Sequence, residues 1–348
     1  MQVLVVDDSA TVRQVLQAIL SEKRGFRVTV AADPIIAADK MKKLRPDVIL
    51  LDLEMPRMDG LTFLQNLMSH NPVPVVVCSG LTGPRTEAAI RALEMGAVDI
   101  ITKPQIGIRG FLEDSAVLLE DIVRGAATAR VRNFRSRRQH QSKCHSADAV
   151  LLPAVFPAHS HELEKIIVIG ASTGGTEALL HIFERMPADC PGIVAVQHMP
   201  EGFTAAYAKR LDGICGIEVR EAKDGDKVVP GRAYIAPGNR HTLVRRMGSG
   251  YFLEVREGPL VSRHRPSVNV LFRSVAQAAG PNAVGVLMTG MGDDGADGLL
   301  EMKQASARTI AQDEASCVVF GMPREAILRG AADDVLSLSA IPTAILRN

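Results

Sequence analysis

The sequence begins MQVLVVDDSA (residues 1–10), where the apolar run VLVV stops at two adjacent aspartates. Four more short apolar runs follow before residue 124: VTVA (28–31), DVILLD (47–52), VPVVVCS (73–79) and AVDIITK (97–103). Helix-length segments separate them, and this alternation is typical of strands buried on both faces of a parallel sheet. The pattern therefore predicts an α/β domain with a five-stranded parallel sheet over residues 1–124.

The same alternation returns after residue 164. Apolar runs again lead into glycine-rich turns and helices: KIIVIGAS (165–172), GIVAVQH (192–198), GRAYIAPG (231–238), AVGVLMTGM (283–291), TIAQD (309–313) and VLSL (335–338). The segment LVRRMGSGYFLEVRE (243–257) predicts an antiparallel hairpin that turns at residues 248–250. We therefore predict a second, doubly wound α/β domain over residues 164–348 with one antiparallel hairpin.

Residues 125–163, between the two predicted domains, contain few large apolar side chains. The segment carries a series of basic residues and histidines: Arg130, Arg132, Arg135, Arg137, Arg138, Lys143, His140, His145, His159 and His161. This composition predicts a mobile linker, although residues 114–132 fit an extension of the last helix. A solvated spacer is the simplest interpretation, and an acidic partner or membrane headgroups are the alternative. The irregular histidine spacing argues against a metal site.

The composition excludes several classes of protein. The chain has 348 residues, a formal net charge of +1, 47% hydrophobic residues and 23% charged residues. This balance provides no global field for nucleic acid or anionic membranes, and no apolar run approaches the length of a bilayer span. Five scattered cysteines without a CxxC pair indicate neither disulfides nor zinc. We therefore expect a cytoplasmic protein that does not insert into membranes.

Polar residues stand at the ends of the predicted strands of the first domain: Asp7, Asp8, Asp52, Ser79 and Lys103. The carboxyl ends of parallel strands meet in one crevice. Carboxylates with water suit Mg²⁺, and a lysine with a hydroxyl group suits the oxygens of a phosphoryl group. Any one of these residues alone is more often a helix cap or a surface charge, but the set predicts phosphoryl chemistry on Asp52.

These residues, with LDLEMPRMDG around Asp52 and Lys103-Pro104, resemble the receiver domain of response regulators, which has a flavodoxin-like fold. The resemblance implies that Asp52 accepts a phosphoryl group from a histidine kinase. It also implies that Asp7, Asp8 and Asp52 bind Mg²⁺, and that Ser79 and Lys103 respond to the phosphoryl group. The first domain is then a switch.

The second domain does not fit a DNA-binding helix-turn-helix. It is too long, it is rich in strands, and it has no basic recognition helix. Its first strand leads into GASTGG, which places Ser172 on a tight turn before a helix. A serine there suits a nucleophile, but the same turn equally suits phosphate binding or simple helix capping. The turn also departs from the G-x-G-x-x-G dinucleotide fingerprint.

Two further strand ends favour the nucleophile. GIVAVQ ends at His198, and AVGVLMTG is followed by the adjacent pair Asp293 and Asp294. A serine, a histidine and a carboxylate at parallel strand ends can face one crevice and form a Ser-His-Asp triad. Taken singly, His198 is more often structural and either aspartate is more often a turn residue. The sequence predicts the triad from the combination.

Six segments together resemble the chemotaxis protein-glutamate methylesterases: GASTGG, AVQHMP, AYIAPGNRH, RHRPSVNVLF, LMTGMGDDGADG and AQDEASCVVFGMPREA. The resemblance covers nearly all of residues 165–348. It implies that Ser172 is the nucleophile, His198 the general base and Asp294 the triad acid. Met291 then supplies an oxyanion amide, with Thr173 in support. Asn269 departs from the family, which usually has aspartate there.

The resemblance further implies hydrolysis of glutamate γ-methyl esters on the cytoplasmic helices of methylated chemoreceptors, with methanol release and with deamidation of receptor glutamines. It implies no cofactor for the esterase reaction, and we expect a monomer. The simplest regulation is that the unphosphorylated receiver covers the catalytic crevice and that phosphorylation of Asp52 uncovers it. Two alternatives stay open: a receiver-regulated binding module, and a serine hydrolase that acts on a different ester.

Overall fold

The computed structural model of the protein describes residues 1–56, 58–80, 83–103, 109–129, 147–151 and 164–347. The chain divides into two compact units, Met1–Arg137 and Arg138–Asn348. Most of the basic, histidine-bearing spacer predicted from the sequence lies outside the described residues, as does Pro104.

The first unit alternates strands and helices as predicted. Its strands are β1 (Gln2–Val6), β2 (Arg27–Ala31), β3 (Val48–Asp52), β4 (Val75–Ser79) and β5 (Asp99–Thr102). Its helices are α1 (Ala10–Ser21), α2 (Pro34–Lys43), α3 (Gly60–His70), α4 (Gly83–Glu94) and α5 (Arg109–Thr128). Polar side chains cap the N-termini of three of these helices. Ser9, Asp33 and Asp59 accept a hydrogen bond from a backbone N–H in the first turn of α1, α2 and α3, respectively.

The five strands form one parallel sheet in the order β2-β1-β3-β4-β5. The chain moves from β1 outward to β2 and then crosses back to β3 on the other side of β1. A crevice opens at the carboxyl end of the sheet where the direction of winding reverses, here between β1 and β3. The predicted five-stranded parallel sheet is confirmed.

The second unit has a larger set of elements. Its strands are β6 (Ile166–Ala171), β7 (Gly192–Gln197), β8 (Glu218–Glu221), β9 (Lys227–Val228), β10 (Arg232–Ile235), β11 (His241–Met247), β12 (Gly250–Arg256), β13 (Ala283–Leu287), β14 (Arg308–Gln312) and β15 (Asp334–Leu336). Its helices are α6 (Gly175–Phe183), α7 (Phe203–Asp212), α8 (Val268–Ala278), α9 (Ala296–Gln304), α10 (Met322–Leu328) and α11 (Ile341–Leu346).

Seven of these strands form a parallel sheet in the order β15-β14-β13-β6-β7-β10-β8. The winding reverses between β6 and β13, so the carboxyl ends of these two strands border the crevice of this unit. The predicted hairpin is β11–β12, and β9 adds a third antiparallel strand that the sequence pattern did not reveal. Buried side chains of α8 and α9, among them Phe272 and Leu299, pack with those of the sheet in one core.

Residues 147–151 belong to the predicted spacer, yet they pack against the second unit. They contain a short 3-10 helix, Ala147–Ala149. Ala147 and Val150 are buried in an apolar cluster with Leu243, Val261 and Val270. Arg256 donates a hydrogen bond to the Val150 carbonyl, so polar contacts also hold this segment. These five residues therefore extend the second unit towards the N-terminus.

Within residues 1–347, outside the gaps given above, no helix combines the length and the apolar composition that crossing a membrane requires.

Candidate functional sites

The predicted acidic residues of the first unit lie together in its crevice. Asp7 follows β1 and Asp52 ends β3, the two strands where the winding reverses. Carboxylate oxygens of Asp7, Asp8 and Asp52 all lie within 4.8 Å of one another. Asp7 and Asp52 are buried, whereas Asp8 is exposed. Three carboxylate oxygens, of which only that of Asp8 is on an exposed residue, match the oxygen donors that Mg²⁺ prefers in proteins.

Lys103 reaches into the same crevice from the end of β5. Its Nζ atom lies 2.6 Å from Asp52 Oδ2 and 3.1 Å from Asp7 Oδ2. The backbone N–H of Lys103 donates to the carbonyl of Ser79 at 3.0 Å, which places Ser79 at the neighbouring strand end. The five residues predicted from the sequence therefore meet at one edge of the sheet.

The charges in this crevice shift the pKa values of two groups. Burial raises the pKa of Asp52, and the ammonium of Lys103 offsets only part of that rise. Burial alone would lower the pKa of Lys103, but its contacts with Asp52 and Asp7 outweigh burial and raise it. Lys103 therefore carries its positive charge directly beside the carboxylate that is the predicted phosphoryl acceptor.

In the second unit, strand register brings the predicted serine and histidine together. β6 and β7 are neighbours, with Ala171 opposite Gln197, so Ser172 and His198 directly follow paired positions. The backbone N–H of His198 donates to the Ala171 carbonyl at 3.1 Å. Two residues after Ser172 the turn needs glycine, because Gly174 has φ +78° and a Cβ there would lie 2.5 Å from Val318 Cβ.

The imidazole of His198 is held by Asp294. His198 Nε2 lies 2.8 Å from Asp294 Oδ2, and only 7% of the histidine side chain and 1% of the aspartate side chain are exposed. Burial by itself would raise the pKa of Asp294, but the hydrogen bond and the charge of His198 outweigh it and lower the pKa. An ionised Asp294 fixes the proton on Nε2, which leaves Nδ1 as the basic nitrogen.

That second ring nitrogen is buried. Among the described residues, Nδ1 of His198 has no hydrogen-bond partner. The sequence predicted that Ser172 and His198 share one crevice, and in the structure their backbones lie side by side. The Ser172 hydroxyl does not form a hydrogen bond with His198 Nδ1. Catalytic hydrogen bonds are often open before substrate binds.

The two adjacent aspartates have different environments. Asp294 also accepts hydrogen bonds from the Ser267 hydroxyl and from the backbone N–H groups of Val268 and Asn269, at 2.7 to 3.0 Å. Asp293 points elsewhere and pairs with Arg329 at 3.0 Å. Of the two carboxylates that the sequence left as candidates, Asp294 is the one in contact with His198.

The loop after β13 passes close to the serine. A Cβ on Gly290 would lie 2.7 Å from Ser172 Cβ. Met291, the next residue of the loop, is therefore close to Ser172. Within the described residues, no backbone hydrogen bond from the Met291 N–H is found. The carbonyl of Thr173 accepts the Thr289 hydroxyl at 3.0 Å, which ties the serine turn to the same loop. Met291 and Thr173 therefore flank Ser172.

Two residues of this site were missed by the sequence analysis. His264 stacks on His198, with ring centroids 3.7 Å apart and an interplanar angle of 12°. The side-chain N–H₂ of Gln197 donates to the carbonyls of Ser172 and His198, at 2.9 and 3.2 Å. Both lie in segments that carried the family resemblance, RHRPSVNVLF and AVQHMP, but neither segment reveals side-chain direction.

Comparisons with known proteins show which families the two units resemble. The CheB methylesterase model matches residues 167–345, and the response regulator receiver domain model matches residues 3–108. The chain is 59% identical to protein-glutamate methylesterase/protein-glutamine glutaminase 5 of Anaeromyxobacter dehalogenans (strain 2CP-C), over 99% of this chain and 96% of the relative. It is 58% identical to protein-glutamate methylesterase/protein-glutamine glutaminase 3 of Geobacter metallireducens (strain ATCC 53774 / DSM 7210 / GS-15), over 99% of this chain and 98% of the relative.

A solved structure supports the same assignment for the second unit. The crystal structure of the Thermotoga maritima CheB methylesterase catalytic domain superposes with a TM-score of 0.52 at 40% identity, and the match covers 53% of this chain and 97% of that chain. Fold, motifs and full-length relatives coincide: the chain belongs to the CheB methylesterase family, with a response regulator receiver domain preceding its catalytic domain.

Proposed function

We propose that this protein hydrolyses γ-methyl esters of glutamate side chains on the cytoplasmic domains of chemoreceptors and also deamidates receptor glutamines. Full-length relatives are named for both activities. The observation that carries the proposal is the contact of 2.8 Å between His198 and Asp294, beside Ser172 at the end of the adjacent strand. Because these receptor domains are cytoplasmic, we infer that the protein acts in the cytoplasm.

The reaction begins with attack of Ser172 Oγ on the ester carbonyl. Nδ1 of His198 takes the hydroxyl proton, and Asp294 stabilises the resulting imidazolium through Nε2. Because Asp294 is ionised and nearly enclosed, its negative charge is only weakly screened by water, and it compensates the positive charge that forms on His198. His198 then returns the proton to the leaving oxygen, and methanol departs.

The acyl group left on Ser172 is the receptor glutamate itself. The Met291 N–H, with Thr173 in support, stabilises the negative oxygen of each tetrahedral intermediate. Water then attacks the acyl-enzyme with His198 as base, which restores Ser172 and releases the glutamate carboxylate. With a glutamine substrate the same steps release ammonia instead of methanol. Every step uses groups of this chain and water, without a cofactor.

Phosphorylation of Asp52 switches the enzyme on in this proposal. The Asp52 carboxylate accepts the phosphoryl group from a histidine kinase. Asp7, Asp8 and Asp52 would hold Mg²⁺, which neutralises negative charge during the transfer. Lys103 already lies 2.6 Å from Asp52 and supplies a positive charge to the phosphoryl oxygens, while Ser79 lies at the next strand end. We also propose that the protein acts as a monomer.

The decisive experiment measures methanol release from receptor-bearing membranes that carry a labelled methyl group. The full chain is assayed with and without Mg²⁺ and a small acyl phosphate as phosphodonor. We expect basal release, a rise with phosphodonor that requires Mg²⁺, and no release from Ser172→Ala. Asp52→Asn should keep basal release and lose the rise.

Three results would contradict the proposal. Ser172→Ala with most of the wild-type release would exclude the serine mechanism. A rise in release with the phosphodonor that is as large in Asp52→Asn as in wild type would exclude the switch at Asp52. Wild type without any methanol release, but with turnover of a simple aryl ester, would make the protein a serine hydrolase for another ester. The molar mass from light scattering on a size-exclusion column tests whether the protein is a monomer.

A further inference from the structure

The stacked partner of His198 has no role in the mechanism above. His264 covers one face of the His198 ring at a centroid distance of 3.7 Å, with the two rings nearly parallel. The edge of the His198 ring carries the proton contacts, because Nε2 lies against Asp294 and Nδ1 is the other edge nitrogen. A ring face has no lone pair and no acidic proton, so His264 cannot pass a proton to His198. Its contact constrains only the ring's position.

A tight turn presents His264 to the site. Val261 and His264 form an antiparallel bridge with both backbone hydrogen bonds, at 3.1 and 2.9 Å. The two residues between them, Ser262 and Arg263, have φ values of +50° and +68°. Neither is glycine, and left-handed backbone at such residues carries a conformational cost. The surrounding contacts must therefore hold this turn in place.

Those contacts lead to the same helix end that holds Asp294. The side-chain N–H₂ of Asn269 donates to Ser262 Oγ at 3.0 Å, while the backbone N–H of Asn269 donates to Asp294 Oδ1 at 3.0 Å. Val261, at the base of the turn, is fully buried. One short segment at the start of α8 thus positions both the carboxylate at the edge of the His198 ring and the turn that covers its face.

The charge state of His264 suits a stacking role. Burial, followed by the positive charge of His198 and that of Arg263, lowers the pKa of His264 well below its usual range, and Asp294 only partly opposes this. A neutral ring stacks on the imidazolium of His198 without repelling it. A charged ring at this distance would disfavour the protonated His198 that catalysis requires.

We propose that His264 is a positioning residue, which holds the His198 imidazole in the plane that joins Asp294 to the Ser172 hydroxyl. The inference rests on the proposed serine mechanism. Loss of the stacked ring frees His198 to tilt, and small misplacements of a catalytic group cost up to about 100-fold in rate. His264 touches no reacting atom, so substrate binding should not change.

The test compares full-length His264→Ala and His264→Phe with wild type. We expect kcat for methanol release to fall about 10- to 100-fold in His264→Ala with KM nearly unchanged. His264→Phe keeps a flat ring on His198 and should restore kcat to within a few-fold of wild type. The matched control is His70→Ala on the first unit, whose exposed imidazole contacts the Asn66 carbonyl and which should leave kcat unchanged.

Two substrate-independent readouts separate this inference from the proposed function. The NMR signal of the Nε2 proton shared by His198 and Asp294 should weaken or shift in His264→Ala and return in His264→Phe. Inactivation by a fluorophosphonate, in which Ser172 Oγ bonds to phosphorus and fluoride leaves, should slow in parallel.

The inference is overturned if His264→Ala keeps kcat, or if His264→Phe is as impaired as a folded His264→Ala. An unchanged proton signal in His264→Ala overturns it even when wild type releases no methanol. Wild type that reacts with the fluorophosphonate but not with methylated receptors contradicts only the proposed substrate.

Discussion

Asp294 accepts the backbone N–H of Val268, the first residue of α8, at 2.7 Å through the same Oδ2 atom that contacts His198. The carboxylate therefore caps a helix that begins 26 residues earlier in the chain, as well as orienting the imidazole. The positive end of the helix dipole favours the ionised form of Asp294. The capping of α8 and the proposed catalytic role of Asp294 thus both require a negative charge on the same side chain.

Replacing this carboxylate should damage both functions. Asp294→Asn keeps the size but loses the charge that holds His198 and α8. We expect the rate of methanol release to fall by up to about 10⁴-fold. The free energy of unfolding should fall by about 2 kcal/mol, because charged hydrogen bonds to backbone donors are lost. Activity assays and urea unfolding of the full chain measure the two effects.

The neighbouring aspartate is the control for that experiment. Asp293 pairs with Arg329 on a partly exposed surface and makes no contact with His198. Asp293→Asn should leave the rate within about threefold of wild type and change stability by less than about 1 kcal/mol. Equal losses in the two variants would contradict the assignment of Asp294.

The lowered pKa of Asp294 also predicts a pH dependence of stability. The folded protein binds the Asp294 proton more weakly than the unfolded chain does. In the unfolded chain the pKa of this carboxyl group has its ordinary value of 3.8. The stabilisation is therefore fully present above that value and is lost as pH falls through the lower, folded pKa. The difference in unfolding free energy between wild type and Asp294→Asn should be constant near neutral pH and shrink on acidification below pH 3.8. A difference that grew on acidification would contradict this sign.

In the receiver, removing Lys103 should raise the pKa of Asp52 further. Burial and the charge of Asp7 already raise it, and Lys103 is the main opposing influence. We expect Lys103→Met to move the carboxyl titration, measured by ¹³C NMR, to higher pH. Lys42→Met is a suitable control, since Lys42 pairs with exposed Asp39 on α2. An unchanged or lower Asp52 pKa in Lys103→Met would show that Lys103, although 2.6 Å from Asp52, does not stabilise the ionised carboxylate.

Two glycines allow the cost of backbone strain to be measured separately from the cost of crowding beside Ser172, the proposed nucleophile. Gly174 and Gly330 both have positive φ, +78° and +67°, but only Gly174 faces a close neighbour, Val318. Gly330→Ala should therefore cost about 1 to 2 kcal/mol from strain alone and leave activity intact. Gly174→Ala should cost more and reduce the reaction of Ser172, as thermal unfolding and methanol release would show. Equal stability losses would mean that Val318 yields without cost.

The docked segment 147–151 gives a prediction about local stability. Val150 is 9% exposed and packs with Val261, whereas Ala149 is exposed. Val150→Asp should release the segment, because a buried carboxylate without a partner is unfavourable. Amide hydrogen exchange at Leu151 should then accelerate, while Ala149→Asp should leave it unchanged. Protection that survives in Val150→Asp would show that the hydrogen bonds from Arg256 and Arg273 hold the segment alone.

Strand positions were accessible from sequence for a simple reason. Strands buried on both faces must be continuously apolar, so the ends of the runs mark Asp7, Asp52, Ser172 and His198 directly. Parallel strand ends converge, and this placed the candidate residues in two crevices. Short or half-exposed strands such as β8 and β9 carry no such run, and the pattern did not reveal them.

The sequence by itself determined most strands of the two parallel sheets and predicted most candidate residues of both sites, because burial imposes a readable period on strands and helices. Only the tertiary structure decided that Asp294, and not Asp293, contacts His198, since both follow the same strand and differ solely in side-chain direction. It likewise decided that His264 covers His198. Loops have no period, so the direction of a loop side chain depends on the distant backbone groups that bind it, here the start of α8.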